Sequence, residues 1–249
     1  MNKNINIKIY PLLATLVVFF QLMCFIYARR KVDILGFPVN VSGIIFPLDI
    51  YLIEIIGECY GFQFARQIVW INLTIHAIFI FFVLATNSLP YSSLMHTDLV
   101  FSYKHLIAIS WVSALGSLIF NFMADMFSAR FIANTKVLFE GKYMFARLFI
   151  SQTCSEIIVT LSYFVSFLTN GYTVMFTVKL IGATIIVKSI MAFIMYPFAR
   201  IMIYLIKQKE NFNAYDLNLV YKIFSFSIHL DNIQFFPIKN KRNTHEKTI

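Results

Sequence analysis

The chain sets carboxylates and amides inside stretches that are otherwise apolar. Residues 46–66 read FPLDIYLIEIIGECYGFQFAR, with Asp49, Glu54 and Glu58 among aliphatic and aromatic neighbours. Glu54 and Glu58 are four apart and share one face of a helix. Gly57 and Gly61 have the same spacing, which lets a second helix approach closely. Pro47 precedes Glu54 in the same run, and a missing N–H there suits a bent or broken helix beside a site. Ionisable residues inside a membrane span are costly, face the bundle interior, and mark pathways or binding sites. Glu58, close to the expected inner end, also reads as an interfacial carboxylate paired with Arg66. Asp49 falls near mid-span.

A second polar stretch, SQTCSE at 151–156, puts Ser151 and Ser155 on one i, i+4 stripe and Gln152 and Glu156 on the next. An amide that donates and accepts, beside a carboxylate, suits a planar heterocycle with mixed edge groups. Hydrogen bonding between helices is the other reading. Asn121 and Asp125 repeat the spacing near the end of a span, where a solvated end residue is the simpler account. Lys188, ahead of Pro197, is the candidate counter-charge for the buried acids. His76 stands alone in its run and reads as a hydrogen-bonded core residue.

No GxSxG, HExxH or Walker A signature occurs, and no nucleophile is set up for an intramembrane enzyme. Cys24, Cys59 and Cys154 are far apart and form no CxxC pair. The expectation is therefore no catalytic residue, no metal site and no cofactor.

The elements that position these residues must be membrane helices. Of 249 residues, 59% are hydrophobic and 13% charged, and mean hydropathy is +0.73. Soluble domains run about 45–50% apolar and about 25% charged. In lipid only helices and closed barrels satisfy their own backbone, and these runs are too long and too uniformly apolar for barrel strands. Six runs approach the length of a span: about 11–28, 41–60, 67–86, 105–126, 148–169, and a sixth within 174–206 that Pro197 kinks or ends. The fold class expected is an all-α polytopic bundle. One transmembrane domain covers 1–206, and a polar tail, 207–249, follows it. The net charge of +9 does not indicate nucleic acid, because Lys and Arg sit mainly in short loops and the tail. Lys3, Lys8, Arg66, Arg130, Lys136, Lys142, Arg147, Lys207 and Lys209 fall on one side, which assigns both termini to the cytoplasm. Arg29, Arg30 and Lys31 oppose that assignment.

The 46–66 segment resembles the signature of the queuosine-precursor transporter family, also called the vitamin-uptake-like family. Phe46, Pro47, Glu54, Glu58, Tyr60, Gly61 and Arg66 fill its places, with Glu54 where the family usually has Asp. DMFSARF, with Asp125, is similar to a second family segment. RLFISQTCSE is similar to a third, although the usual acid falls at Ser155 and Glu156 comes one place later. Lys188 and Pro197 match the final spacing. The resemblance covers roughly residues 10–206 and implies a six-span bacterial inner-membrane importer of 7-deazaguanine precursors of queuosine: 7-cyano-7-deazaguanine, 7-aminomethyl-7-deazaguanine or queuine. In that reading Glu54, Gln152, Ser155 and Glu156 meet the base, with Lys188 as charge partner. A carboxylate accepts from the N1–H and 2-amino edge, the Gln152 amide meets O6, and aromatic rings cover the base face. Pro47, Asp49, Glu58, Gly61, Arg66, Asn121 and Asp125 have structural or secondary roles. The partners implied are the base and membrane lipid, with homo-oligomers left open. A substrate-binding membrane subunit that needs a separate energising module is the alternative.

Overall fold

The computed structural model describes residues 7–28, 30–34, 37–92, 96–107, 111–169, 173–216, 228 and 233–237. Its helices are α1 (Tyr10–Tyr27), α2 (Ser42–Tyr60), α3 (Phe62–Asn87), α4 (Thr97–Ile107), α5 (Trp111–Leu138), α6 (Met144–Thr169) and α7 (Val174–Glu210). Two antiparallel strand pairs accompany them among the described residues: β1 (Lys31–Ile34) with β2 (Phe37–Asn40), and β3 (Phe212–Asp216) with β4 (Ile233–Pro237). In the second, Phe212 lies opposite Pro237 and Asp216 opposite Ile233. The chain is an all-α polytopic bundle.

α2 is the central helix. It packs against α1, α3, α5, α6 and α7, and 16 of its 19 residues are buried. Its rows of Ile, Gly and Tyr meet neighbouring helices rather than lipid. Gly57 shows why a small residue is needed there: an added Cβ would stand 3.7 Å from Ile132 and 3.8 Å from the Ala129 carbonyl on α5. The outward faces of the other helices are apolar, with Phe81, Phe101, Ile119, Ile186 and Phe198 exposed. That is the pattern of a bundle whose solvent is hydrocarbon. Helices α1, α3, α5, α6 and α7 are long and apolar enough to cross a membrane.

The direction of each helix follows from one end of the bundle. Glu210, at the end of α7, accepts hydrogen bonds from the backbone N–H groups of Lys8 and Ile9, at 3.0 and 2.8 Å, and from the Tyr60 hydroxyl at 2.9 Å. The start of α1 and the ends of α2 and α7 therefore meet. Lys136, late in α5, and Arg147, early in α6, reach Glu58 at this same end. So α1, α3 and α6 start here, and α2, α5 and α7 finish here. This end gathers Arg66, Lys136, Arg147, Lys207 and Lys209, and is called the basic end below.

Two segments differ from their sequence boundaries. The expected fourth span, 105–126, is instead α5 from Trp111 to Leu138, preceded by a separate α4 of 11 residues, about 16 Å long and too short to cross. The helix outlasts its apolar run because Asp125, Ser128 and Lys136 all face inward and are buried. The sixth run is one continuous 37-residue helix through Pro197. At about 1.5 Å per residue it reaches roughly 55 Å, so its last turns carry Lys207 and Glu210 past the hydrocarbon. Part of the region read as a polar tail forms β3, which packs on α2, α5 and α7. Residues 207–210 of that region are the last turn of α7 and 211 leads into β3; apart from these, β3, residue 228 and β4, the rest of 207–249 lies outside the described residues.

Candidate functional site

Two groups of buried polar side chains sit at different depths along α2. With a rise of about 1.5 Å per residue, Glu58 marks the basic end, Glu54 lies about 6 Å deeper and Asp49 about 7.5 Å deeper again.

At the basic end Glu58 is a structural hub. It is 2% exposed and accepts from Arg147 Nη1 at 2.9 Å and from Lys207 Nζ at 2.8 Å, with Lys136 Nζ at 3.9 Å. Lys136 Nζ also donates to the Glu58 carbonyl at 2.5 Å, Ala214 O at 2.6 Å and Asn213 Oδ1 at 2.8 Å, and lies 4.4 Å from the centre of the Tyr215 ring. These bonds fasten β3 to α2. Asp216 Oδ2 accepts from the Phe62 N–H at 2.6 Å, which satisfies an open donor at the start of α3. Burial pushes the Asp216 carboxyl above its usual range, opposed by that N–H and by Lys136 and Arg66. Gly61 makes the tight α2–α3 junction at φ +94°, and a Cβ there would stand 2.7 Å from Asp216 Oδ2. The sequence reading paired Glu58 with Arg66 at a wet interface, and this is corrected. Arg66 lies over the Phe62 ring, 5.7 Å from its centre, with Asp216 as the acid acting on it. Arg147 and Lys136 reach Glu58 because α5 and α6 present them across the α2 terminus.

Deeper in the bundle, α2, α3, α5, α6 and α7 turn polar side chains toward one another. Glu54, fully buried, accepts from Ser128 Oγ at 3.2 Å, and Ser128 Oγ lies 3.1 Å from Ser151 Oγ. Gln152 Nε2 donates to Glu156 Oε1 at 3.1 Å, the i, i+4 contact expected of that stripe. Glu156 Oε2 closes an ion pair with Lys188 Nζ at 2.5 Å, both side chains fully buried. Lys188 Nζ lies 4.6 Å from the centre of the Phe46 ring, and its Cε lies 3.6 Å from where a Gly43 Cβ would be. Pro47 has no N–H to give the Gly43 carbonyl, so the loosened turn of α2 is the one against which Lys188 rests. Ser155 Oγ donates to the Ala124 carbonyl at 3.2 Å and so ties α6 to α5.

Asp125 is 2% exposed and accepts from Asn72 Nδ2 at 3.3 Å. The expectation of a solvated end residue is corrected: α5 continues well past it. Asn121, one turn earlier, is half-buried. His76 is a buried, hydrogen-bonded core residue as expected, its Nδ1 lying 3.4 Å from Gln21 Nε2 on α1. Among these buried groups Glu54 Oε2, Gln152 Oε1, Asp125 Oδ1 and both Asp49 oxygens have no hydrogen-bond partner among the described residues. Buried polar atoms are almost always paired with protein or ordered water, so these oxygens on facing helices are the positions that a water, a proton or a ligand would complete. Among the described residues no group of three or more His, Cys, Asp and Glu is placed to hold a metal ion.

Ser128, Asn72, Lys136 and Arg147 join these groups without having been read as site residues. Asn72 carried a usable signal, four residues before His76. Ser128 did not, since isolated serines are common in membrane helices.

No curated protein and no solved structure matches the chain. A family model described as "putative vitamin uptake transporter" matches residues 40–202, well over half of the sequence and all of α2, α3, α5 and α6. The chain is a multi-pass membrane protein that belongs to this vitamin uptake transporter family.

Proposed function

We propose that the protein imports 7-deazaguanine precursors of queuosine across the bacterial inner membrane, and that it is a carrier rather than an enzyme. The observation that supports this most is Glu54 Oε2, a fully buried acceptor on α2 with no partner among the described residues, in the same interior as the Gln152 amide and the Glu156–Lys188 ion pair. A deazaguanine carries an N1–H and a 2-amino group on one edge and an acceptor at O6. Glu54 takes the paired donors. The second N–H of the Gln152 amide, whose first is held by Glu156, is left for O6. Lys188 holds one oxygen of Glu156 and the Gln152 amide donates to the other, which fixes the orientation of Gln152. Ser155 acts through packing, because its hydroxyl is committed to α5. The basic end faces the cytoplasm by the excess of Lys and Arg there, which puts both termini inside.

Glu54→Gln tests this reading. The substitution keeps length and replaces one carboxyl oxygen with an amide N–H, which cannot accept. Leaving one buried donor of the base unmatched costs about 1–3 kcal/mol, roughly a five- to hundred-fold loss of affinity. Labelled 7-cyano-7-deazaguanine is supplied to cells unable to make it, at matched protein levels. Uptake by the parent and its loss in the variant support the reading. Unchanged uptake in the variant places the base elsewhere. Purified protein in vesicles, with no other component present, separates a self-sufficient carrier from a subunit that binds without transporting.

A further inference from the structure

The buried acids of the mid-bundle outnumber the cations. Asp49, Glu54, Asp125 and Glu156 are each at most 2% exposed, and Lys188 is the buried cation among the described residues at this depth. Lys188 is matched with Glu156. Glu54 has the Ser128 hydroxyl and Asp125 has the Asn72 amide. Asp49 is fully buried, and neither of its oxygens has a hydrogen-bond partner among the described residues. The groups around it offer no compensation. Asp125 on α5 and Glu156 on α6 act on it as like charges, the Cys24 thiol of α1 is near enough to feel its charge, and Glu54 lies further along α2 itself. An anion so placed has lost its water and gained nothing in return, and such a group neutralises instead. Gln152 Oε1, also buried and unpartnered, adds a further acceptor to the same interior.

We propose that Asp49, opposite Asp125, is a proton-binding site separate from the base-binding residues, and that the substrate is carried together with a proton. The occluded arrangement forms with the proton on Asp49. The proton joins the carboxylate from the side open to water, stays on it while the bundle is closed, and leaves to water on the other side, so charge and atoms balance with no other reactant. When the proton leaves, Lys188 is the cation best placed to meet the carboxylate. It already rests on Phe46 and beside Gly43, and Phe46 is one turn from Asp49 on the same helix.

The coupling step rests on the carrier reading above, but the protonation of Asp49 does not, and the experiment separates the two. Infrared spectra of the purified protein in lipid at neutral pH read the C=O stretch of protonated carboxyl groups. Asp49→Asn removes such a band, and Asp125→Asn shifts or removes it. In vesicles with the voltage clamped at zero, a gradient of about one pH unit supports at most about tenfold accumulation of 7-cyano-7-deazaguanine at one proton per substrate. A protonophore abolishes it. Asp49→Asn loses the accumulation and keeps exchange of labelled for unlabelled base, and Asp125→Asn serves if that variant does not fold. A parent protein with no protonated carboxyl band, or a band untouched by both substitutions, overturns the proposal. So does accumulation indifferent to the gradient. If the vesicles take up no deazaguanine at all, the substrate reading fails, and the infrared result still decides whether Asp49 holds a proton.

Discussion

Replacing Glu58 with Gln should unfasten the basic end of the bundle rather than damage a substrate site. Gln keeps the side chain's length and helix propensity and removes its charge. Three cations lose their carboxylate, and they do not lose equally. Lys207 is 16% exposed and turns to water. Lys136 keeps the oxygens of Glu58, Ala214 and Asn213. Arg147 is 2% exposed and keeps the carbonyls of Lys142 at 3.0 Å and Gly141 at 3.4 Å, but its Nη1 faces an amide in place of an anion. Removing one partner of a buried ion pair costs about 3–5 kcal/mol. The retained carbonyls argue for the low end, about 3 kcal/mol. At about 2–4 °C per kcal/mol for a chain of this size, thermal unfolding in detergent should fall by about 6–12 °C. Adding Arg147→Met should recover part of the loss by removing the stranded charge, whereas adding Lys207→Met should recover little. A melting temperature within about 1 °C of the parent, the range of an ordinary surface substitution, would refute the hub argument. Uptake lost with no change in melting would move Glu58 into the substrate path.

Three further outcomes are expected. Gln152→Leu should abolish binding of labelled base while the protein stays folded in the membrane, because Glu156 retains Lys188; unchanged binding makes the α6 stripe structural. Gly61→Ala should cost about 1–3 kcal/mol from the backbone alone, read as lower melting and faster amide exchange at Phe62. Adding Asp216→Ala should not rescue it, since the clash with Asp216 is relieved but φ +94° remains. Reporter fusions at residues 88 and 140 should read opposite sides of the membrane, because α3 leaves the basic end and α5 returns to it; the same side for both refutes the alternation of helices.

Spacing made the inner arrangement of α6 legible. Gln152 and Glu156 were readable as one stripe, and they do bond to each other. Lys188 was readable as a counter-charge, and Glu156 is the acid it meets. Both inferences use rules that act within one helix or on the cost of an isolated charge. What the sequence could not supply was the choice among partners on different helices. Arg66 is nearest to Glu58 in sequence, yet Arg147 and Lys207 are far away along the chain and reach it because α6 and α7 cross the end of α2. Lys136 and Arg147 had been counted only as loop charges for orientation. Polar residues beyond the apolar run of the fourth span looked like solvated loop, whereas burial against α2, α3 and α6 lets the helix carry them inward.

The helix that hydropathy identifies least well is the one that organises the site. α2 has the length of a span but carries three acids, and it is absent from the helices apolar enough to cross a membrane by composition. Those that qualify are buried over only 22–44% of their apolar windows, whereas 16 of the 19 residues of α2 are buried. The inversion has a physical cause. A helix that faces lipid must be apolar on most of its surface, because hydrocarbon offers no hydrogen bonds. A helix enclosed by five others meets lipid hardly at all, so its side chains answer to neighbouring side chains instead. Carboxylates are then tolerated where neighbours complete them: Glu58 has its cations, Glu54 a hydroxyl on one oxygen and the proposed base for the other, and Asp49 the proposed proton. The acids that made the 46–66 segment look unsuited to a membrane are consistent with its place at the centre of one.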